Sequence, residues 1–374
     1  MPPIRNYIGG EWAESNAGKT FATTNPAAPG ETVAEYQQSG PDDATAAVAA
    51  AADARDGWAS TPAPERGAIL KAAGDALADR KDELTAQLTR EEGKTHAEAG
   101  GEVQRAIDIF HYYAQKTYDL GGTVKSSSGQ RTNLYTREEP VGVATLITPW
   151  NYPIAIPAWK IAPALAAGNT VTIKPASLAP GPAIAIVEAL DDAGIPDGVI
   201  NLVTGSGSTV GDALIGHDDV DAVSFTGSSA VGDVVYDLAT DDGKRVQTEM
   251  GGKNPTIVSD ATDIEEAADI VASGAFGVTG QACTAGSRAI VYEDVYDEFV
   301  DAIVDRADAI DVGPGDECDM GPQVSEDELE STLEYIDVAA EEGATLAAGG
   351  EALGGGRFGD GYFVAPTVCT DVDP

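Results

Sequence analysis

Five short apolar segments, separated by stretches with helical spacing, occupy residues 141–250 of this 374-residue chain. The apolar segments are VGVATLITP, NTVTIKP, VINLVTG, VDAVSFTG and RVQTEM. Between them lie PIAIPAWKIAPALAAG, APGPAIAIVEALDDAG, STVGDALIG and SAVGDVVYDLATDDG. A strand that is apolar along its length must be covered on both faces, and helical crossovers between strands make them parallel. The pattern predicts a doubly wound α/β domain on a parallel sheet. Ligands of such sheets bind beyond the carboxyl ends of the strands. The informative residues are therefore those at 148–151, 174–177, 205–211 and 226–232, and Glu249.

The flanks read differently. Residues 1–40 hold short β-like pieces, NYIGGEW and ETVAEYQ, punctuated by Gly, Pro and Asn. An Ala-rich helix then starts at PDDATAA with Pro and Asp in its first turn. PAPERGAILKAAGDALADRKDELTAQL reads as a second helix and EAGGEVQRAIDIFHYYAQKTYDL as a third, by their three- and four-residue apolar spacing. The polar stretch GGTVKSSSGQRTNLYTREEP reads as a projecting hairpin or linker. After Glu249 a second β/α region follows, with strands in NPTIVSD and AIVYE, helices in DIEEAADIVASGAF and VYDEFVDAIVDRADAI, and a Gly-rich end.

Charge narrows the function classes. With 22 Lys+Arg against 62 Asp+Glu, the net charge is −40. Such a surface repels phosphate backbones and anionic headgroups, so neither a nucleic acid nor a membrane is expected as partner. A hydrophobic fraction of 43% nonetheless argues for a folded chain. The acid is dispersed, and only ten of the basic residues are lysines, as suits a halophilic cytoplasmic protein. An ordinary acidic enzyme is the alternative. Three irregularly spaced cysteines, Cys283, Cys318 and Cys369, support neither a disulfide framework nor a zinc site, and no metal is expected. No signal sequence and no apolar run long enough for a membrane span are read.

Several strand-end residues have the chemistry of a site. FTGSSAVG sets Gly227 and Gly232 where a strand turns into a helix, so backbone N–H groups would face a pyrophosphate. Neither it nor GSGSTVG has the G-x-G-x-x-G spacing, and tight-turn glycines are the alternative. Lys174 would meet a ribose or phosphate at the same edge, or be a solvated lysine. Cys283, in TGQACTAGSR, has small and polar neighbours; a turn rich in N–H groups would lower its pKa and hold an oxyanion. A structural cysteine is the commoner case. Cys318 stands among acids that would raise its pKa and Cys369 lies in a strand-like piece, so neither suits a nucleophile. Glu249 would serve as general base for water, or be one surface acid among 62. Asn151, in TPWNYP, offers an amide donor or forms an Asx-turn.

Taken in order, ITPWNYP, IKPAS, FTGS with AVG, EMGGKNP and GQACTAGSR resemble the aldehyde dehydrogenase superfamily from end to end. Glu249 and Cys283 are 34 residues apart and Asn151 and Lys174 are 23 apart, as in that family. The resemblance implies a dinucleotide-binding domain at 1–120 and 141–248, an oligomerisation hairpin at 121–140 and an α/β catalytic domain at 249–374. It implies a hydrolytic enzyme that oxidises a small-molecule aldehyde to an acid with NAD(P), assembled as a homodimer or homotetramer. Cys283 would attack the carbonyl, the Asn151 amide and the Cys283 N–H would hold the oxyanion, and Glu249 would activate water to release the acid. The cofactor residues implied are Ile147, Thr148, Pro149, Trp150, Lys174, Ser177, Gly207, Gly211, Phe225, Thr226, Gly227, Ser228, Gly232, Met250 and Gly251.

Ser177 stands where NAD-preferring relatives often carry a glutamate, which leans the cofactor towards NADP over NAD. YPIAIPAWKIAPALAAGNTV and FGVTGQACTAGSR look like the branch that oxidises 2-oxoglutarate semialdehyde (2,5-dioxopentanoate), with Arg105, Arg288 or Lys160 facing the substrate carboxylate. Betaine aldehyde, succinate semialdehyde and aliphatic aldehydes are the alternatives. Family chains continue past PTVCTDVDP to an E-x-F-G-P motif, so the catalytic domain is expected to be C-terminally truncated. The competing reading is an inactive dinucleotide-binding remnant or subunit.

Overall fold

The computed structural model describes residues 2–315 and 318–372; the outer limits expected for the domains, 1 and 374, lie outside them. Along the chain run β1 (Asn6–Ile8), β2 (Glu11–Ala13), β3 (Thr20–Asn25), β4 (Ala28–Gln37), α1 (Pro41–Ser60), α2 (Ala63–Asp79), α3 (Lys81–Glu92), α4 (His96–Lys116), β5 (Val124–Lys125) and β6 (Leu134–Tyr135). Then come β7 (Val143–Ile147), α5 (Ala155–Ala167), β8 (Thr170–Lys174), α6 (Gly181–Asp192), β9 (Ile200–Leu202), α7 (Asp212–Ile215), β10 (Ala222–Thr226), α8 (Ser229–Asp241) and β11 (Arg245–Glu249). The last part holds β12 (Asn254–Val258), α9 (Ile264–Phe276), β13 (Gly286–Val291), α10 (Tyr296–Ala309) and α11 (Glu326–Glu341). The chain divides into two compact units. One is Met1–Ala22, Ala34–Leu84 and Gly101–Met250; the other is Thr23–Val33, Thr85–Gly100 and Gly251–Pro374. Thr23–Val33 and Thr85–Gly100, which the sequence reading placed with the first body, thus belong to the second unit.

All five expected strands form in the first unit and lie parallel, in the order β9-β8-β7-β10-β11. Numbered by sequence this is 3-2-1-4-5, the order of dinucleotide-binding sheets, and the reversal beside β7 opens a crevice at the carboxyl ends of β7 and β10. Strands β7 and β8 are buried throughout. Strand β11 departs from the expectation: as an edge strand it alternates between exposed and half-buried residues. Two further strands extend the sheet on the other side, where β1 pairs antiparallel with β9 through Tyr7 and Leu202 and with β2 through a hairpin.

Helix α1 shows why its sequence is Ala-rich. Ala44, Ala47, Val48 and Ala51 pack into the core with Val143 and Ile147 of β7, Val223 and Phe225 of β10 and Val235 of α8, and small side chains let the helix lie close to the sheet. The expected second helix is two helices, broken at Arg80, whose backbone leaves the helical region at φ −102°, ψ 12°. Its guanidinium donates to Glu83 (2.8 Å) and to Glu188 (2.9 Å), which holds the break in place. The expected hairpin forms as the β5–β6 pair, with Val124 opposite Tyr135 and both side chains exposed.

In the second unit β12 and β13 pair in parallel. Val258 packs with Ile264, Ala268 and Ala272 of α9 and with Phe299 and Ile303 of α10. Helix α9 begins where Asp263 accepts the Glu266 N–H (3.2 Å), an N-cap that the sequence DIEE supplies. Helix α11 adds an element beyond those read from the sequence. Among the described residues no helix is long and apolar enough to cross a membrane.

Candidate active site

The carboxyl ends of β7 and β8 are tied together where the Thr148 N–H donates to the Lys174 carbonyl (3.3 Å). Lys174 is buried, and among the described residues its ammonium donates only to carbonyls, those of Pro175 (2.9 Å) and Gly205 (3.3 Å). Burial lowers its pKa to about 8. Ser177 donates its hydroxyl to the same Gly205 carbonyl (3.1 Å), and Gly211 lies against the methylene stem of Lys174. An ammonium has three donors, so this one keeps a donor for a ligand. Beside it the Thr148 hydroxyl is buried with no hydrogen-bond partner among the described residues. A buried cation and an orphaned hydroxyl at adjacent strand ends fit the ribose or phosphate of a dinucleotide.

The next loop carries Pro149, Trp150 and Asn151, all half-buried, to the start of α5. Glu102 anchors that start, one carboxylate oxygen accepting from the N–H groups of Ile154 and Ala155 (3.0 Å each), at the positive end of the helix. Asn151 is thus held between Thr148 and a capped helix.

Gly227 and Gly232 have a packing explanation. A Cβ on Gly227 would lie 2.5 Å from the Phe225 ring, and one on Gly232 would overlap the Met250 sulfur. Ser228 caps α8, accepting from the Val231 N–H (3.4 Å). Gly207 begins a single π-helical turn, Gly207–Gly211, that leads into α7. Ile147 and Thr226 end strands β7 and β10, and Gly251 opens the second unit.

Glu249 ends β11 and is exposed. It accepts from Gln247 Nε2 (3.0 Å), Gln247 accepts from the Ser224 hydroxyl (2.7 Å), and Ser224 accepts from the Lys160 ammonium (2.6 Å). Lys160 is buried on α5. Desolvation lowers its pKa to about 8, opposed by the charge of Glu249. This side-chain chain was not read from the sequence. Its only signal was the i, i+2 spacing that puts Gln247 and Glu249 on one face of a strand. Lys160, expected at the substrate carboxylate, is engaged by Ser224 instead. Arg105 is exposed on α4, and Arg288, in the second unit, donates to the Lys253 carbonyl (3.2 Å).

Cys283 lies in the second unit, in the turn that precedes β13, and its thiol is exposed. Asn254, at the start of β12, donates to the carbonyls of Cys283 (2.9 Å) and Ala285 (3.2 Å) and fixes the downstream side of the turn. On the upstream side Gln281 donates its N–H to the Val278 carbonyl (3.0 Å), and its side-chain oxygen accepts from Val324 (3.0 Å). The other thiols differ. Cys318 donates to the Gly313 carbonyl (2.9 Å), and burial first, then Asp311, raises its pKa; burial raises that of Cys369. The sequence reading gave acids as the cause at Cys318, whereas burial is the larger one.

Comparison with known proteins identifies the family. Residues 12–374 match the description "Aldehyde dehydrogenase family". The chain is 66% identical over 372 residues to the alpha-ketoglutarate semialdehyde dehydrogenase of Haloferax volcanii, covering 100% of this chain and 77% of that one. It is 43% identical over 369 residues to the alpha-ketoglutaric semialdehyde dehydrogenase of Bacillus subtilis, covering 98% of this chain and 76% of that one. Among solved structures, betaine aldehyde dehydrogenase from Staphylococcus aureus in complex with NAD+ superposes with a TM-score of 0.96 at 37% identity, over 99% of this chain and 74% of that one. The chain belongs to the aldehyde dehydrogenase family and is an NAD(P)-dependent aldehyde dehydrogenase.

Proposed function

We propose that the protein oxidises 2-oxoglutarate semialdehyde to the dicarboxylic acid through a covalent intermediate on Cys283. The names of the two curated relatives support that substrate. The observation that carries the nucleophile is the exposed thiol, in a turn held on both sides by backbone and side-chain bonds. A thiolate at Cys283 adds to the aldehyde carbon, forming the C–S bond as the carbonyl electrons move to oxygen. The Asn151 amide and the Cys283 N–H are the donors assigned to that oxyanion. When bound, a dinucleotide would supply a nicotinamide ring able to accept a hydride, and Cys283 would then hold the oxidised carbon as a thioester. Glu249 then takes a proton from water, the oxygen adds to the thioester carbon, and the C–S bond breaks to free the acid and the thiolate.

Lys174, Ser177 and Thr148 are assigned to the adenosine ribose of the cofactor. With a hydroxyl at Ser177 and no carboxylate to repel a 2′-phosphate, NADP is favoured over NAD. The remaining assigned cofactor residues are those at 147, 149–150, 207, 211, 225–228, 232 and 250–251. We assign the sheet unit to dinucleotide binding, the β5–β6 hairpin to homo-oligomer contacts and the second unit to catalysis. The net charge of −40 supports a cytoplasm of high salt.

The test follows reduced cofactor in molar KCl with 2-oxoglutarate semialdehyde, succinate semialdehyde and betaine aldehyde, each with NAD and NADP. Preference for the first substrate and loss of turnover in Cys283→Ala are expected. Undiminished turnover in Cys283→Ala, or none with any aldehyde, would refute the mechanism.

A further inference from the structure

Three consecutive residues just ahead of Cys283 are left-handed: Val278 (φ 55°, ψ 31°), Thr279 (φ 56°, ψ 32°) and Gly280 (φ 69°). Among the described residues, the other non-glycine positions with positive φ, Arg131 and Asp371, are isolated. Glycine takes this conformation freely, but for a β-branched side chain it is an outlier, and here two such residues adopt it in succession. Such a turn persists only where its surroundings over-determine it.

The surroundings are specific. The Val278 N–H donates to Glu98 Oε1 (2.6 Å), although 180 residues separate the two in sequence. The other carboxylate oxygen of Glu98 accepts from the N–H (3.1 Å) and the hydroxyl (2.9 Å) of Thr95, so the carboxylate is itself fixed at the first turn of α4. The Thr279 hydroxyl donates to the Gly321 carbonyl (3.1 Å), and Gln323 donates to the Thr279 carbonyl (3.4 Å). These residues all belong to the second unit. Only Gln281 and Ala282 separate the left-handed turn from Cys283. Because the thiol is exposed, its direction depends on the backbone that leads to it and not on packing around the sulfur.

We infer that Glu98 is a positioning residue for Cys283: its carboxylate, locked by Thr95, holds Val278 in the left-handed turn that aims the thiol. The inference rests on Cys283 being the nucleophile. It predicts that Glu98 acts on the chemical step and on thiol accessibility, not on substrate affinity.

The experiment compares wild type, Glu98→Ala, Val278→Gly and the double variant in molar KCl. The readouts are kcat, KM and the iodoacetamide alkylation rate of Cys283, the last by peptide mass spectrometry because two other cysteines are present. Glu98→Ala is expected to lower kcat and the alkylation rate together by about tenfold or more, with KM changing less than about threefold, since displacing a reacting group by about 1 Å costs up to about a hundredfold. With glycine at 278 the left-handed turn no longer needs the clamp, so the same substitution is expected to cost less than about threefold. Unchanged kcat and alkylation in Glu98→Ala, or equal losses in both backgrounds, would overturn the inference. If Glu98→Ala does not fold, Glu98→Gln is read instead. It leaves one acceptor oxygen for three donors, so an intermediate loss is expected and wild-type rates would overturn the inference. Cys283→Ala is assayed in parallel: turnover there would remove the nucleophile assignment, whereas the alkylation rates still read the hold of Glu98 on the thiol.

Discussion

Replacing Lys174 by methionine separates the cost of burying an ammonium from its use. Burial takes the lysine from 10.5 to about 8. That corresponds to ~3 kcal/mol spent at pH 7 to keep it charged in the fold. Its bonds to the Pro175 and Gly205 carbonyls return about 1.5–3 kcal/mol each as charge-assisted bonds. After the substitution the Gly205 carbonyl keeps its bond from Ser177, so one acceptor loses its partner. The opposing effects leave Lys174→Met about 0–3 kcal/mol less stable than wild type. Cofactor affinity has no such compensation. Losing one charged contact costs about 1.5–3 kcal/mol, a rise in Kd of roughly ten- to 150-fold, and the rise is expected to be larger for NADP than for NAD.

Stability also responds to pH in a defined direction. Between pH 8 and 10.5 the unfolded chain keeps the lysine proton that the folded chain has shed, so wild-type stability rises with pH across that window. Lys174→Met removes its share of the rise; Lys160, lowered to the same value, retains the other share. Urea unfolding in molar KCl at pH 7 and pH 10, with dinucleotide titration by fluorescence, reads all three quantities. A loss of more than about 4 kcal/mol with unchanged Kd would show that the ammonium serves the fold and not the cofactor.

Further outcomes follow from the same geometry. Lys160→Met removes the head of the chain that runs through Ser224 and Gln247 to Glu249, and is expected to abolish an inflection near pH 8 in the kcat profile; a wild-type profile would disconnect the lysine from the base. Asn254→Ala cuts the bonds to the Cys283 and Ala285 carbonyls at an exposed site, so a loss of about 1 kcal/mol in urea unfolding and a lower kcat are expected. Lowering KCl from 1 M to 0.1 M lengthens the Debye screening distance from about 3 to about 10 Å, so the acidic surface should lower the thermal midpoint. A midpoint insensitive to salt would contradict the reading of the charge.

The legibility of this chain follows how locally each feature is determined. Strands β7 and β8 were readable because every residue in them is buried, so hydrophobicity alone marks them. Strands β1 and β2 were not assigned to the same sheet, because a single register pair, Tyr7 with Leu202, carries the join to β9 and leaves no periodic trace. The break at Arg80 was hidden by Leu70, Leu77, Leu84 and Leu88, whose helical spacing runs straight through it; the break depends on Glu188, far away in sequence. The site divides in the same way. Lys174 was marked by its place at a strand end, whereas the Lys160 chain depends on contacts between a helix and two strands. The turn before Cys283 is the extreme case, since valine and threonine argue locally against the left-handed backbone they adopt. A sequence reading fails there for a physical reason: the conformation depends on Glu98, 180 residues away in sequence, and on Gly321 and Gln323, none of which lies in the motif around the cysteine.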